Sequence, residues 1–494
     1  MPAASYRRLW IVLGILLPIA LVAAYYGALN RPPWPDEGWF SSAAYNMAYH
    51  GYMGTTVYHP AGNGLALTRI DEHTYWIMPG FLVGQALWLV VFPATLASIR
   101  LFSIAWLPVL VGALYVYLRS LFPRGAVPLV GAILLAGNYM AIDTAIYARP
   151  ETMCAALGVS GLAAYAWLRE RNLPLALAAS NLLVAMSGLT HPNGIFHFVA
   201  LMALIAWFDL RRLHFRDVAA AGAPYLALAL VWYAYIAQDS QAFVDQMSVN
   251  GSQDRWPDTL NPLRILWNEL SVRYLTAYGF VTGGMNRIKA LSLLLMWGSV
   301  AGCLAVPELR RISAVRLLLL QLGLYFAGMC VFNQKLTYYL IHIVPAYIAV
   351  AAVFLVWLSE RGRLWRTAAT AAVAGLICIE IAGVFLKART RSYIEDQEKV
   401  VEYVKTHMTP DSNVNGTSGF LFAFDFDPRF QDDAYLGVDT GRRPDFIIVE
   451  QFYQGLYDGW KTRRPEAMAR IQERLAEYEV GFELDGYKVY VRKP

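Results

Sequence analysis

Apolar residues fall in blocks of about twenty separated by short polar turns, the length an α-helix needs to cross the hydrocarbon core of a bilayer. Spans are predicted over 9–29, 98–118, 127–146, 152–168, 173–189, 195–209, 217–237, 288–306, 313–332, 336–358 and 367–386. A further apolar stretch, 75–92, decides the topology, because every later loop changes side if it crosses. The arginines settle the matter. With 75–92 not crossing, Arg119/Arg124, Arg169/Arg171, Arg211/Arg212/Arg216, Arg310/Arg311/Arg316 and Arg361/Arg363/Arg366 all fall in cytoplasmic loops, as the positive-inside bias requires. The stretch is therefore read as an interfacial or re-entrant helix, broken at Pro79-Gly80 and closed by Pro93.

The expected fold class is thus an all-α polytopic membrane protein of about eleven transmembrane helices, with interfacial helices in the first outer loop. Arg7 and Arg8 hold the N-terminus in the cytoplasm, and the C-terminus lies outside. The first span reads as a retained helix, since no small-residue cleavage site precedes the Pro-rich stretch at 31–35. Outer pieces are expected at 30–97 and 238–285. After the 1–387 transmembrane domain, 388–494 reads as a small α/β extracytoplasmic domain. Its helical stretches are 393–408 and 465–478, with a strand at 446–449. A hairpin turns at Asp485-Gly486 between 482–484 and 487–491.

Composition narrows the function classes. Of 494 residues 57% are hydrophobic and 16% charged, with a mean hydropathy of +0.39. A soluble domain carries about 25% charged residues, so an ordinary cytosolic enzyme is excluded. The net charge of +5 is sorted by membrane side and gives no reason to expect nucleic acid. Four cysteines inside apolar blocks give no disulfide framework and no zinc spacing.

The candidate chemistry collects on the outer side. Asp36 and Glu37 follow the first span directly; as a bland feature they cap a helix N-terminus. Arg149-Pro150-Glu151 stands at the outer mouth of the third and fourth spans, where an ordinary surface pair is the plain alternative. His191-Pro192-Asn193-Gly194 is a tight outer turn. Asn333 to His342 enters the tenth span, and helical spacing lets Lys335, Tyr338 and His342 share a face beside Tyr339. Snorkelling of Lys335 to headgroups is the plain alternative there. Glu380 is an intramembrane carboxylate without an assigned partner. Cations at membrane depth suit a lipid-borne phosphate, and a carboxylate beside them suits a base for an acceptor hydroxyl. Together they describe sugar transfer from a lipid phosphate outside the cytoplasm.

In the order and spacing of these motifs the chain resembles the GT-C glycosyltransferases, and within them the protein O-mannosyltransferase and aminoarabinose transferase branch. Ile99-Arg100-Leu101 and Pro345 belong to the same set. The resemblance implies an inverting transferase using a polyprenyl-phosphate sugar donor and a lipid, glycan or protein acceptor. In it Asp36 is the base and Glu37 helps to hold the acceptor. Glu151 matches a second acidic position, and Lys335 with the neighbouring tyrosines matches a donor-phosphate site. The chain departs from many relatives in lacking a Lys-Pro-Pro-Leu stretch before the interfacial helix; His73 is the only nearby stand-in for the lysine.

In the expected mechanism Arg149 and Lys335 neutralise the leaving phosphate, with Tyr338 and His191 as hydrogen-bond donors. No cofactor is obligatory. A divalent metal is conceivable on Asp36, Glu37, Glu151 and nearby histidines, without a dedicated spacing. The expected location is a bacterial inner or plasma membrane, active site outward. The rival class is a transporter or flippase of lipid-linked sugars, against which stand the large first loop, the outer carboxylates and the absence of matched halves.

Overall fold

The computed structural model describes residues 3–62, 67–252, 261–281, 287 and 289–494. Parts of both outer loops (63–66, 253–260 and 282–285) and residue 288 of the eighth expected span lie outside them. Helices stand at each of the eleven expected spans. Seven are long and apolar enough to cross a membrane, or eight if the bent pair Val127–Ala136 and Tyr139–Ile146 is one span. The other expected spans are Pro150–Leu168, Ala290–Ala305 and Val344–Ser359. The last two have 16 residues each, about 24 Å of helix against a hydrocarbon core of about 30 Å.

The 48° bend in the third expected span explains Glu380. Breaking a helix inside a membrane orphans backbone groups, which must find partners within the protein. Glu380 reaches in from the last apolar helix and accepts the Tyr139 amide at 2.9 Å and the Asn138 side chain at 3.3 Å. This carboxylate is a structural cap on the broken helix.

In the first outer loop Pro79 opens a helix, Pro79–Leu89, rather than breaking one. Proline suits that first position because its missing N–H has no partner there in any case. Eleven residues are too few to cross, in line with the arginine argument. Ahead of it, Pro35–His50 forms a second short helix, again with proline at the start. A helix of the second outer loop, Ser240–Ser252, lies over this layer. Its Gln246 side chain accepts the amides of Tyr75 (2.8 Å) and Trp76 (3.1 Å) and donates to the carbonyls of Thr68 (2.9 Å) and His73 (2.8 Å).

The tail carries a five-stranded sheet of β1 (Val414–Asn415), β2 (Phe430–Gln431), β3 (Phe446–Glu450), β4 (Tyr478–Leu484) and β5 (Tyr487–Arg492), in the order β2-β1-β3-β5-β4. β1 runs parallel to both its neighbours, while β5 pairs antiparallel with β3 and β4. Helices Gln451–Arg463 and Pro465–Ala476 join β3 to β4. The sheet does not stand apart from the membrane region. Val414, Phe430, Ile448 and Val489 belong to one apolar core with Trp39, Phe40, Phe81 and Leu82 of the two interfacial helices. Contact is closest at Gly38, where a Cβ would lie 1.8 Å from the Ser418 carbonyl oxygen. Only glycine fits between the helix and the tail at that point. The Ser418 hydroxyl donates to the Pro35 carbonyl at 2.6 Å, and the Asp432 amide to that of Val57 at 2.8 Å.

One buried ion pair holds the N-terminus of Pro35–His50 in place. Glu37 and Arg100 are both fully buried. The carboxylate accepts from Arg100 Nε and Nη2 (each 2.8 Å) and from the amides of Ala148 and Trp34 (each 2.7 Å). Arg100 also donates to the carbonyls of Ala28 (2.6 Å), Arg31 (2.9 Å) and Pro32 (3.1 Å), so all its N–H groups are used. The pair thus ties the end of the first span, the first interfacial helix, the second span and the 147–149 turn. Removing one partner of a buried pair strands the other charge, at a cost of about 3–5 kcal/mol. Arg100→Met should therefore lower the melting temperature in detergent and the yield of monodisperse protein. An unchanged melting temperature contradicts this role.

Candidate active site

Two cavities meet at Asp36. The first, about 310 Å³, is lined by Asp36, Trp39, Phe40, Trp76, Arg149, Glu151, His191, Asn250, Tyr338 and Tyr339, among others. The second, about 290 Å³, opens between the first loop and the tail. Its walls include Asp36, Tyr58 and His59 on one side, and Asp432, Tyr453, Trp460 and Arg464 on the other. Among the described residues Asp36 is the one common to both linings.

Arg149 sits at the head of the first cavity, just before the helix Pro150–Leu168. It pairs with Asp36 on one side and on the other with the fully buried Glu151, at 2.8 Å through Nη2 and 3.3 Å through Nε. Its guanidinium lies over the Tyr338 ring, 4.2 Å from the centroid. An arginine over an aromatic face gains cation–π attraction, and its planar fork can serve two acidic groups at once. Arg149 is the only lysine or arginine among the described residues lining this cavity. His191, in the turn between helices Leu173–Thr190 and Gly194–Asp209, packs its ring 5.2 Å from that of Tyr339. Tyr338 and Tyr339 are themselves in edge contact at 4.9 Å.

Several expected residues are elsewhere. Glu37 is consumed by Arg100 and backbone amides and reaches neither cavity. Lys335 is not on a common face with Tyr338 and His342. It precedes the helical turn, and Thr337–His342 is a 3-10 helix with a tighter pitch than the α-helical spacing assumed. Its ammonium instead pairs with buried Glu269 at 2.9 Å and donates to the carbonyls of Met329 and Cys330. Arg273 binds the same carboxylate at 3.0 Å and the Gln334 carbonyl at 3.0 Å. His342 points into the bundle, 3.3 Å from His197. His73 packs between Tyr75 and Tyr235, outside the cavity, and does not replace the lysine of the relatives. Asp36, Glu37 and Glu151 form no metal-ligating group among the described residues, each being turned onto an arginine.

The sequence reading overlooked other wall residues. Asn250 lines the first cavity and donates to the Trp76 carbonyl at 2.9 Å. Glu269 and Gln246, which line neither cavity, gave no signal, since a single polar residue in an outer loop is ordinary. Asp432 lies at the junction of tail and loop, accepting from the Tyr453 hydroxyl (2.7 Å) and the Ser418 amide (2.7 Å).

No protein-family model matches the chain, and no curated protein matches its sequence. Solved structures do match its fold. ArnT from Cupriavidus metallidurans in the apo state superposes with a TM-score of 0.61 at 12% identity, over 99% of this chain and 98% of that one. The same protein bound to undecaprenyl phosphate gives 0.57 at 13% identity, over 97% of each chain. The Archaeoglobus fulgidus oligosaccharyltransferase in complex with zinc and sulfate gives 0.50 at 13% identity, over 97% of this chain and 73% of that one. The chain shares the fold of ArnT over nearly its whole length.

Burial raises the Asp432 carboxyl from 3.8 to about 6, with its hydrogen bonds opposing the shift. The folded protein therefore holds this proton more tightly than the unfolded chain. The resulting stability is complete below pH 3.8 and is lost as pH rises through about 6. Melting temperatures taken across that window should fall more steeply for the wild type than for Asp432→Asn. Parallel curves contradict the assignment.

Proposed function

We propose that this protein is an inverting glycosyltransferase moving a sugar from a polyprenyl phosphate to an acceptor hydroxyl on the extracytoplasmic side of the membrane, with Asp36 as general base. The observation that carries the reading is the position of Asp36 as the one described residue shared by two cavities. A reaction between two substrates needs a base where they meet, and a carboxylate in their common wall satisfies that requirement. Binding of undecaprenyl phosphate by ArnT, whose fold this chain shares, supports the donor class.

In this reading the donor phosphate occupies the first cavity against Arg149, with His191, Tyr338 and Tyr339 as further hydrogen-bonding groups. The acceptor enters the second cavity, beneath the tail. The acceptor oxygen attacks the anomeric carbon from the face opposite the phosphate and gives its proton to Asp36. The bond from that carbon to the phosphate oxygen breaks, and its electron pair leaves with the phosphate. Charge growing on that phosphate is met by Arg149.

Arg149 also sets the order of events. In the structure it neutralises Asp36 directly. A phosphate that draws the guanidinium to itself leaves the Asp36 carboxylate unpaired beside the acceptor hydroxyl. Donor binding thus readies the base. Lys335 and Glu37 then hold structure rather than substrate, Lys335 under the cavity floor and Glu37 behind the base. The arginine distribution supports an extracytoplasmic site, with 388–494 as the domain that roofs the acceptor.

General-base catalysis is worth about 10²–10⁴-fold, so Asp36→Asn should lose activity by that order while keeping its fold. The assay is release of free polyprenyl phosphate from a panel of polyprenyl-phosphate sugars offered with envelope acceptors. Near wild-type turnover by Asp36→Asn contradicts the assignment.

A further inference from the structure

Beneath the first cavity three residues converge that the proposed transfer does not use. Cys154 lies on the second turn of the helix Pro150–Leu168, His197 on Gly194–Asp209, and His342 ends the 3-10 helix Thr337–His342. All three are buried, and one ligand atom from each lies within 4.8 Å of the other two. We propose that Cys154, His197 and His342 bind a divalent ion of borderline softness, zinc above all, which staples these three elements under the cavity floor.

The donor set selects the ion. One thiolate and two imidazoles suit zinc far better than magnesium or calcium, which prefer oxygen. The spacing fits as well. Nitrogens about 2.0–2.1 Å from a tetrahedral zinc stand about 3.3 Å apart, and His197 Nε2 lies 3.3 Å from His342 Nδ1. Sulfur and nitrogen on such an ion are about 3.6 Å apart, so a thiolate at the outer limit of 4.8 Å needs to move by about an ångström.

Two features of the surroundings favour a ligated state. The outer nitrogen of His197 is 2.6 Å from the Tyr325 hydroxyl, the arrangement that fixes tautomer and ring plane for a metal-bound histidine. Gly158 clears the space for that ring; a Cβ there would lie 2.1 Å from it. No pattern in the sequence announces the site, because the ligands come from three separate segments.

The site bears on the cavity above it through position. His342 shares its short helix with Tyr338 and Tyr339, and the ring of His191 lies 6.1 Å from that of His342. An ion on His342 fixes the wall residues in place, without a step in the reaction. The inference stands apart from the transferase reading, since it rests on bound metal rather than turnover.

The test uses the full-length protein, purified in detergent through a tag that does not chelate metal. The protein is loaded with zinc, dialysed against zinc-free buffer and measured by plasma mass spectrometry. About one zinc per chain is expected for the wild type, with loss in Cys154→Ser and in His342→Gln. Cobalt loading provides a readout independent of how the variants fold. Wild-type protein should show a thiolate-to-cobalt charge-transfer band in the near ultraviolet. Wild-type protein that retains no zinc and shows no such band overturns the proposal. Zinc held at undiminished stoichiometry by both variants overturns it equally.

Discussion

The site depends first on a buried ion pair that performs no chemistry. Glu37 and Arg100 stand 63 residues apart in the chain, yet together they close the end of the first span, the start of the first interfacial helix, the second span and the 147–149 turn. A charge pair this deep is not a cheap way to gain stability, because desolvation offsets most of its attraction. Its value is directional. With every acceptor position of Glu37 and every donor of Arg100 engaged, the helix Pro35–His50 has one orientation. Asp36, the neighbouring residue, is thereby turned toward the cavities, and Ala148, held by Glu37, delivers Arg149 to it. Two adjacent carboxylates divide the work, one positioning the helix and one lining the cavities.

Charge balance decides how a phosphate could be received. Asp36, Glu151 and Arg149 together carry one net negative charge, so the empty cavity does not advertise itself to anions. In the proposed reaction a phosphate competes for Arg149 with Asp36, the more exposed of its two partners, with a side chain 36% accessible against 0% for Glu151. The competition favours release of Asp36 over Glu151, since the released group can be hydrated or can meet the acceptor. Lys335 takes no part, because Glu269 and two carbonyls already hold it. The tail completes the geometry. It shares its apolar core with the interfacial helices and packs against Gly38 and Pro35, so the second cavity and the position of Asp36 are built by the same contact.

Much of this architecture is visible in the chain, and the missing parts have specific causes. Apolar block length and the sidedness of arginine give the helices and the non-crossing stretch, because both follow from the energetics of lipid and water. Asp36 is visible because two carboxylates after a first span have few structural uses, and Arg149 with Glu151 because they are adjacent. Arg100 was visible as a motif but not as the partner of Glu37, since nothing local links them. Lys335 was misplaced because its counter-ion sits in a distant loop and a 3-10 turn replaced the assumed α-helical spacing. Strands β1 and β2, of two residues each, are too short for any periodicity to register. The helix Gln451–Arg463 also went unread. Glu380 was recognisable as costly, and only the bend it caps explains it.

The most direct test is a cryo-electron microscopy map of the protein in lipid with bound polyprenyl phosphate. The phosphate should lie in the first cavity on Arg149, with Asp36 no longer paired to that guanidinium and the second cavity still open to an acceptor. A phosphate lodged in the second cavity, or a bound phosphate that leaves the Arg149–Asp36 pair intact, would contradict the account.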